Sequence, residues 1–283
     1  MGKMKKYRII ALILTAIFVT TCTSVIAQTN LDNLDQINPG NYEANLVNYA
    51  SDHSNFKVAA LAKELVEKTE ENVKILKETR ECVGCYMNAA ELNRMDLSDV
   101  NLSKSNLFGA SFIRTYSPNA NLSESNISFV TFTDATLNRA NLNKADASGA
   151  DFSRADLSQA SLKSTDLQSI NANRTNFKRA NMSQSKLSGG NFFYVSFPGA
   201  NLRESDLRSA NFSNSDFTFA NLSKVNARRG NFHHTSFLGA DLKEADFRNA
   251  NVDENSLKRG KLCKTIMPSG QINNRDCEGE KLP

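Results

Sequence analysis

Two cysteines separated by two residues form the one motif of this chain that has a catalytic interpretation. Cys82-Val83-Gly84-Cys85 is a C-x-x-C pair, and such a pair can act as a dithiol redox site. Redox activity usually requires a thioredoxin-like strand–helix–strand setting with the pair at a helix N-terminus. Here the pair ends a predicted helix and enters a repeat. We therefore favour a structural disulfide, and a dithiol–disulfide redox module is the alternative.

Other residues that could carry chemistry are few. The chain has three histidines, of which His233 and His234 are adjacent and His53 is far away in sequence. Two cysteines without a second pair or a nearby histidine do not complete the tetrahedral ligation of zinc. The sequence also contains no Ser–His–Asp order and no Gly-rich phosphate loop. We predict no enzyme activity, no metal site and no cofactor.

A five-residue repeat dominates the sequence that follows the cysteine pair. From Leu92 to Leu262 every fifth residue occupies an apolar slot, and 28 of these 35 positions are Leu or Phe. The residue before the slot is usually Asn or Asp, and the one before that is usually Ala. A period of five matches neither the 2.0 of a strand nor the 3.6 of a helix. A fixed repeat of this length predicts a solenoid.

The slots carry a second period of twenty residues. Reading every twentieth residue from Leu102 gives a nearly pure Leu column, and reading from Leu92 gives a Phe-rich column. Four pentapeptides are therefore expected to form one coil, in which like residues stack. The slot and Ala side chains should fill a narrow interior at close-packed density.

This pattern resembles the pentapeptide-repeat family, whose unit is A-(D/N)-L-x-x. The resemblance implies an all-β fold, a right-handed quadrilateral parallel β-helix of nearly nine coils. At the interstrand spacing of about 4.8 Å, the rod would be about 40 Å long. Some members are thought to mimic DNA and protect gyrase, which requires a strongly anionic rod. Residues 88–262 carry 21 basic and 17 acidic residues, so we do not expect that role.

The sequence before and after the repeat predicts caps at both ends of the rod. An open β-helix exposes apolar core and unpaired strand groups at its ends. An apolar stripe from Ser54 to about Glu81 predicts a capping helix. We expect an N-terminal region at 28–87, the β-helix at 88–262, and a C-terminal tail at 263–283 that breaks the register.

The first residues have the pattern of a secretory signal peptide. Basic residues at 3–8 precede an apolar run from Ile9 to Val19, which is too short to span a bilayer. We predict a signal peptide at 1–27 with cleavage after Ala27. Lipidation at Cys22 and an uncleaved anchor are the alternatives. The mature chain would hold 30 basic and 30 acidic residues, so nucleic-acid binding is not expected. No stable membrane span is expected once the signal peptide is cleaved.

Four cysteines remain after this cleavage, and an even number in an exported chain suggests disulfides. Cys82 and Cys85 precede the first coil, whereas Cys263 and Cys277 follow the last. Because a disulfide needs Cα atoms within roughly 7 Å, the rod excludes end-to-end pairs, and we predict Cys82–Cys85 and Cys263–Cys277. The sequences around both pairs also resemble exported cyanobacterial members of the family, which implies the periplasm or thylakoid lumen; an extracellular location is also possible.

The remaining candidates are outward side chains. Stacked arginines should repel one another unless they meet an anionic partner, and outward aromatic residues favour protein contact. We predict a monomeric, non-catalytic scaffold for an unknown protein or cell-envelope partner. Its candidate interaction residues are Arg208, Arg228, Arg229, Arg248, Phe193, Tyr194, Phe108 and Phe129.

Overall fold

The computed structural model describes residues 56–277, and it describes their side chains from residue 63 onward. The predicted signal peptide, Cys22 and His53 lie outside the described residues.

Residues twenty positions apart pair as parallel strands along the whole repeat. The ladder starts with Glu81 against Asn101 and continues coil by coil to Asp246 against Ile266. Strand β1 (Asn231–Phe232) pairs with β2 (Asn251–Val252) in the same twenty-residue register. This pairing confirms the predicted parallel β-helix.

Each pentapeptide ends in a tight turn that presents two side chains to solvent. In one such turn the N–H of Ala110 donates a hydrogen bond to the carbonyl of Leu107 at 2.9 Å. The residue two after most slots has a positive φ, for example 61° at Arg139. A positive φ at the third residue alone fits a type II turn. The corners of the coil therefore carry the surface chemistry of the molecule.

The slot residues form one continuous core in which aromatic rings stack from coil to coil. Phe212 lies between Phe192 and Phe232, with ring centroids 4.7 and 5.1 Å away. Buried hydroxyls link the coils as well, since Thr175 Oγ1 donates to the carbonyl of Phe152 at 2.7 Å. The interior is therefore apolar, and the buried hydroxyl of Thr175 is satisfied by a backbone carbonyl of the preceding coil.

The recurring Asn and Asp residues before the slots hold the turns and join neighbouring coils. Asn121 Nδ2 donates to Asn101 Oδ1 at 3.1 Å, across one coil. Ser123 donates its Oγ hydrogen to Asn121 Oδ1 at 2.7 Å within the same turn. These structural contacts explain why such residues recur once per pentapeptide.

Helix α1 (Phe56–Thr79) covers the first coil. Leu76 is fully buried in the core cluster, and Val73 packs against it. The coils begin at Glu81 rather than at residue 88, because Cys82 and Met87 fill the first two inward slots. The sequence pattern missed these slots because neither residue is Leu or Phe.

The C-terminal end also differs from the expected boundary. A short helix α2 (Glu254–Leu257) replaces one turn, and its buried Leu257 still fills a slot. The register continues past residue 263 to Met267, which is buried in the core cluster. An antiparallel pair then closes the end, formed by β3 (Thr265–Ile266) and β4 (Ile272–Asn273).

Candidate functional site

The four cysteines lie in two pairs, one at each end of the rod. Cys82 is bonded to Cys85 with Cα atoms 5.4 Å apart, and Cys263 is bonded to Cys277 with Cα atoms 4.8 Å apart. Cys82 occupies an inward slot and is only 3% exposed. The nearest helix end is the C-terminus of α1, whereas activated thiols lie at helix N-termini. The first pair therefore lacks the helix N-terminus that usually activates a redox cysteine pair.

The two adjacent histidines lie on an outward turn. Their ring centroids are 3.8 Å apart. Within residues 56–277, no group of three or more His, Cys, Asp or Glu side chains could hold a metal ion. His233 and His234 therefore have no third protein ligand among the described residues.

A groove of about 670 Å³ runs along one corner of the rod and contains the predicted arginines. We call this corner the groove corner; it consists of the turns in the twenty-residue column of Arg208 and Ser209, from 108–109 to 248–249, and the groove itself occupies the turns from 168–169 to 248–249. The residues that line it are Gln168, Ser169, Ser188, Gly189, Arg208, Ser209, Arg228, Arg229, Arg248 and Asn249.

The groove forms because short side chains on the middle coils are followed by long side chains on the last coils. Ser188, Gly189 and Ser209 make the floor, and the arginines rise beside them. The sequence pattern predicted the arginines as surface candidates but not these small residues. The twenty-residue column shared by Gly189, Ser209 and Arg229 was the signal that could have found them.

Carboxylates hold three of the four arginines. Arg208 Nη2 lies 2.7 Å from Asp206 Oδ2 in the same turn. Arg248 Nη2 lies 2.7 Å from Asp246 Oδ2, and Arg228 Nε lies 2.6 Å from that same oxygen. Burial raises the pKa of Asp206, whereas the hydrogen bonds and the positive charge of Arg208 lower it. The lowering effects together are larger, so the pKa of Asp206 lies below its ordinary value.

Arg229 completes the set of guanidinium groups in the groove. It is exposed, and no carboxylate of the described residues pairs with it. Carboxylates therefore offset the expected repulsion between stacked arginines at Arg208, Arg228 and Arg248. The positive charge of Arg229 is not offset in this way.

The aromatic candidates lie on two different corners. Phe108 and Phe129 belong to the same column as the groove arginines, and their ring centroids are 5.5 Å apart. Phe193 and Tyr194 pack edge to face at 4.5 Å on a neighbouring corner. The structure therefore joins the first aromatic pair to the arginine corner and separates the second pair from it.

The described part of the chain has two helices, α1 and α2. Neither combines the length and the apolar character that a membrane crossing requires.

A scan against family models matches this chain to Pentapeptide repeats, in eight copies. The matched residues are 81–116, 120–159, 155–192, 191–218 and 215–253. Because these ranges cover more than half of the chain, the protein belongs to the pentapeptide-repeat family, whose members form right-handed β-helices.

Three solved structures illustrate the likeness. HetL, a pentapeptide repeat protein involved in heterocyst differentiation regulation from the cyanobacterium Nostoc sp. strain PCC 7120, is 25% identical; the match covers 72% of this chain and 98% of HetL, with a TM-score of 0.36. A pentapeptide repeat protein from the Arabidopsis thaliana thylakoid lumen is 30% identical over 38% of this chain and 71% of its own, with a TM-score of 0.21. The plasmid-mediated fluoroquinolone resistance protein QnrB1 is 16% identical; the match covers 61% of this chain and 93% of QnrB1, with a TM-score of 0.33. No curated protein matches this chain.

Proposed function

We propose that this protein is an exported, non-catalytic scaffold whose β-helical surface binds another protein or a cell-envelope component. The observation that carries the proposal is the groove corner, where Asp206 and Asp246 fix the arginines beside a floor of small residues. Guanidinium groups that are already oriented lose less conformational entropy when they bind an anionic partner.

The proposed architecture is a monomeric rod that is closed at both ends. Helix α1 and the Cys82–Cys85 bond hold the first coil, and the Cys263–Cys277 bond holds the C-terminal tail. Closed ends argue against end-to-end stacking, because they cover the unpaired strand groups.

The proposed location is the periplasm or the thylakoid lumen, with the extracellular space as a further possibility. The signal-like segment 1–27 and the pairing of all four remaining cysteines support export, since disulfides persist in oxidising compartments. Nucleic acid is not a proposed partner, because the mature chain would carry equal numbers of basic and acidic residues.

A second candidate surface is the aromatic pair Phe193–Tyr194. Tyr194 is more than half exposed, and its ring packs against Phe193 rather than into the core. Exposed aromatic pairs of this kind are enriched at protein–protein contacts.

In-cell crosslinking of a tagged protein, followed by mass spectrometry, tests this function. Wild-type protein should retain one partner in near-stoichiometric amount. Arg208→Glu combined with Arg228→Glu should lower the yield at least tenfold if the groove corner binds. Phe193→Ser combined with Tyr194→Ser tests the second surface.

Arg139→Glu is the matched control for the charge reversal. Arg139 is an exposed arginine two pentapeptides away in the coil, so it lies on the corner opposite the groove. If wild-type protein retains no partner, the scaffold proposal fails. If the Arg208 and Arg228 changes leave the yield intact, the groove corner is not the binding surface.

A further inference from the structure

One corner of the rod carries the aromatic pair, the small-residue floor and the arginines in sequence along its length. Phe108 and Phe129 come first, uncharged residues occupy the next coils, and the arginines begin at Arg208. Each coil contributes two adjacent turn residues to this corner because the register is twenty residues throughout. These features therefore form one continuous surface.

The ring of Phe129 lies over the next coil rather than pointing straight into solvent. A Cβ atom built on Gly149 would lie 2.6 Å from Phe129 Cε1. A larger residue at position 149 would clash with the ring, so glycine at this position allows the Phe129 ring to pack over the next coil. It is 49% exposed in this position and offers an apolar face toward the groove.

The turns between the two ends of the groove corner carry no charged side chain. Their residues are Ser148, Gly149, Gln168, Ser169, Ser188 and Gly189. Five coils separate Phe129 from Arg229, which corresponds to about 24 Å at the interstrand spacing. An extended peptide covers that distance with about seven residues at roughly 3.3 Å per residue.

The far end of the corner is cationic. Four guanidinium groups face two carboxylates there, those of Asp206 and Asp246. Arg229 has no ion pair within the described residues, and Arg228 contacts Asp246 only through Nε. The terminal nitrogens of Arg228 and the whole Arg229 guanidinium are thus available to an anionic ligand.

We infer that the groove corner binds an extended peptide segment of a partner protein. An apolar side chain of that segment packs on Phe108 and Phe129, and carboxylates about seven residues away pair with Arg228 and Arg229. This inference rests on the proposed scaffold function and specifies its partner chemistry. A uniformly charged polymer fits less well, because the cations are confined to one end of the corner.

Fluorescence anisotropy with the purified mature chain tests this inference. The probes are fluorescein-labelled peptides that carry one leucine and three consecutive glutamates, separated by one to nine Gly/Ser residues. Binding should be tightest at a separation of about seven residues and should weaken as salt rises, because ion pairs are screened. Arg228→Glu combined with Arg229→Glu should weaken binding at least tenfold.

A matched pair of aromatic variants tests the apolar end. Phe129→Ser should weaken binding of the leucine peptide and leave a peptide with serine in place of leucine unchanged. Phe219→Ser is the control, since Phe219 lies over Gly239 in the same way but on the opposite corner. Neither ring is in the buried core, so both variants should fold.

Three results would overturn the inference: no peptide binds, affinity does not depend on the leucine–glutamate separation, or an oligogalacturonate binds where the peptides do not. The last result would make the groove a polysaccharide site. Such a failure can be separated from a failure of the scaffold function. If peptides do not bind but in-cell capture depends on Phe193 and Tyr194, the scaffold function stands and the peptide groove is wrong.

Discussion

Arg228 and Asp246 lie on successive coils, and the Nε of the arginine is 2.6 Å from Oδ2 of the aspartate. Arg248 reaches the same oxygen at 2.7 Å from its own turn. One carboxylate therefore holds two arginines of a stacked column. This arrangement explains how guanidinium groups can recur at the interstrand spacing, where like charges would otherwise repel.

Replacing that carboxylate should weaken the last coils. Asp246→Asn keeps the size of the side chain but removes the charge that Arg228 and Arg248 share. Because partly exposed ion pairs contribute little individually, we expect a loss of about 1 kcal/mol in the free energy of unfolding. Urea unfolding at low salt measures it. Asp206→Asn, which leaves only Arg208 unpaired, should cost less, and an equal loss would argue against the shared role of Asp246.

Phe212 should contribute far more to stability than an exposed phenylalanine of the same rod. Its ring lies 4.7 Å from Phe192, 5.1 Å from Phe232 and 5.5 Å from Phe217. Phe212→Ala should therefore lower the free energy of unfolding by about 3–5 kcal/mol.

Phe219→Ala is the control for this experiment, because the Phe219 ring is 71% exposed. Its effect should stay within about 0.5 kcal/mol. Chemical denaturation of both variants provides the comparison, and similar losses would contradict the assignment of the Phe columns to the core.

Asp134 should make the rod sensitive to acid. Side-chain hydrogen bonds from Arg154 hold the pKa of Asp134 below its ordinary value, although partial burial acts in the opposite direction. A lowered pKa in the folded state contributes stability that is present above the unfolded pKa of about 3.9. That contribution is lost as the pH falls through the folded pKa.

The free energy of unfolding of wild-type protein should therefore exceed that of Asp134→Asn at pH 6, and the difference should shrink at pH values well below 3.9. Because the other carboxylates titrate in both proteins, the difference isolates Asp134. A difference that does not change with pH would show that the Arg154 contact does not depend on the charge.

The two disulfides should act as staples rather than as a redox centre. The Cys263–Cys277 bond closes a loop of about 15 residues, so Cys263→Ser combined with Cys277→Ser should cost about 3 kcal/mol in the chain-entropy model. The Cys82–Cys85 bond closes a much shorter loop, and its loss should cost less.

Thiol labelling of the folded protein in mild reductant distinguishes the staple from the redox module. Cys82 is almost fully buried, so its bond should resist reduction and remain unlabelled until the protein unfolds. Rapid, reversible labelling of Cys82 and Cys85 in the folded state would favour the redox module instead.

The five-residue register predicted most of this fold because one physical requirement repeats in every unit. Most slots are apolar and most turn residues are polar, so the sequence shows both which side chains point inward and which residues stack. The first slots were missed because Cys82 and Met87 depart from the Leu and Phe that mark most slots of the repeat. The helical turn α2 was missed because Leu257 preserves the register while the backbone between slots changes.

The candidate surface could be predicted only in part. The column of Arg208, Arg228 and Arg248 is visible as a twenty-residue repeat. Its pairing with Asp206 and Asp246 depends on side-chain conformations, which sequence spacing does not determine. The groove itself results from a difference in side-chain length between neighbouring coils.

Site-specific photo-crosslinking in the exported compartment tests the central claim most directly. A photoreactive residue replaces Ser188 on the groove floor in one protein and Ser158 on the opposite corner in the other. If the groove corner is the binding surface, Ser188 should yield one abundant adduct, mapped to a segment of the partner that combines an apolar residue with carboxylates. Adducts that form equally from both positions, or only from Ser158, would contradict the account.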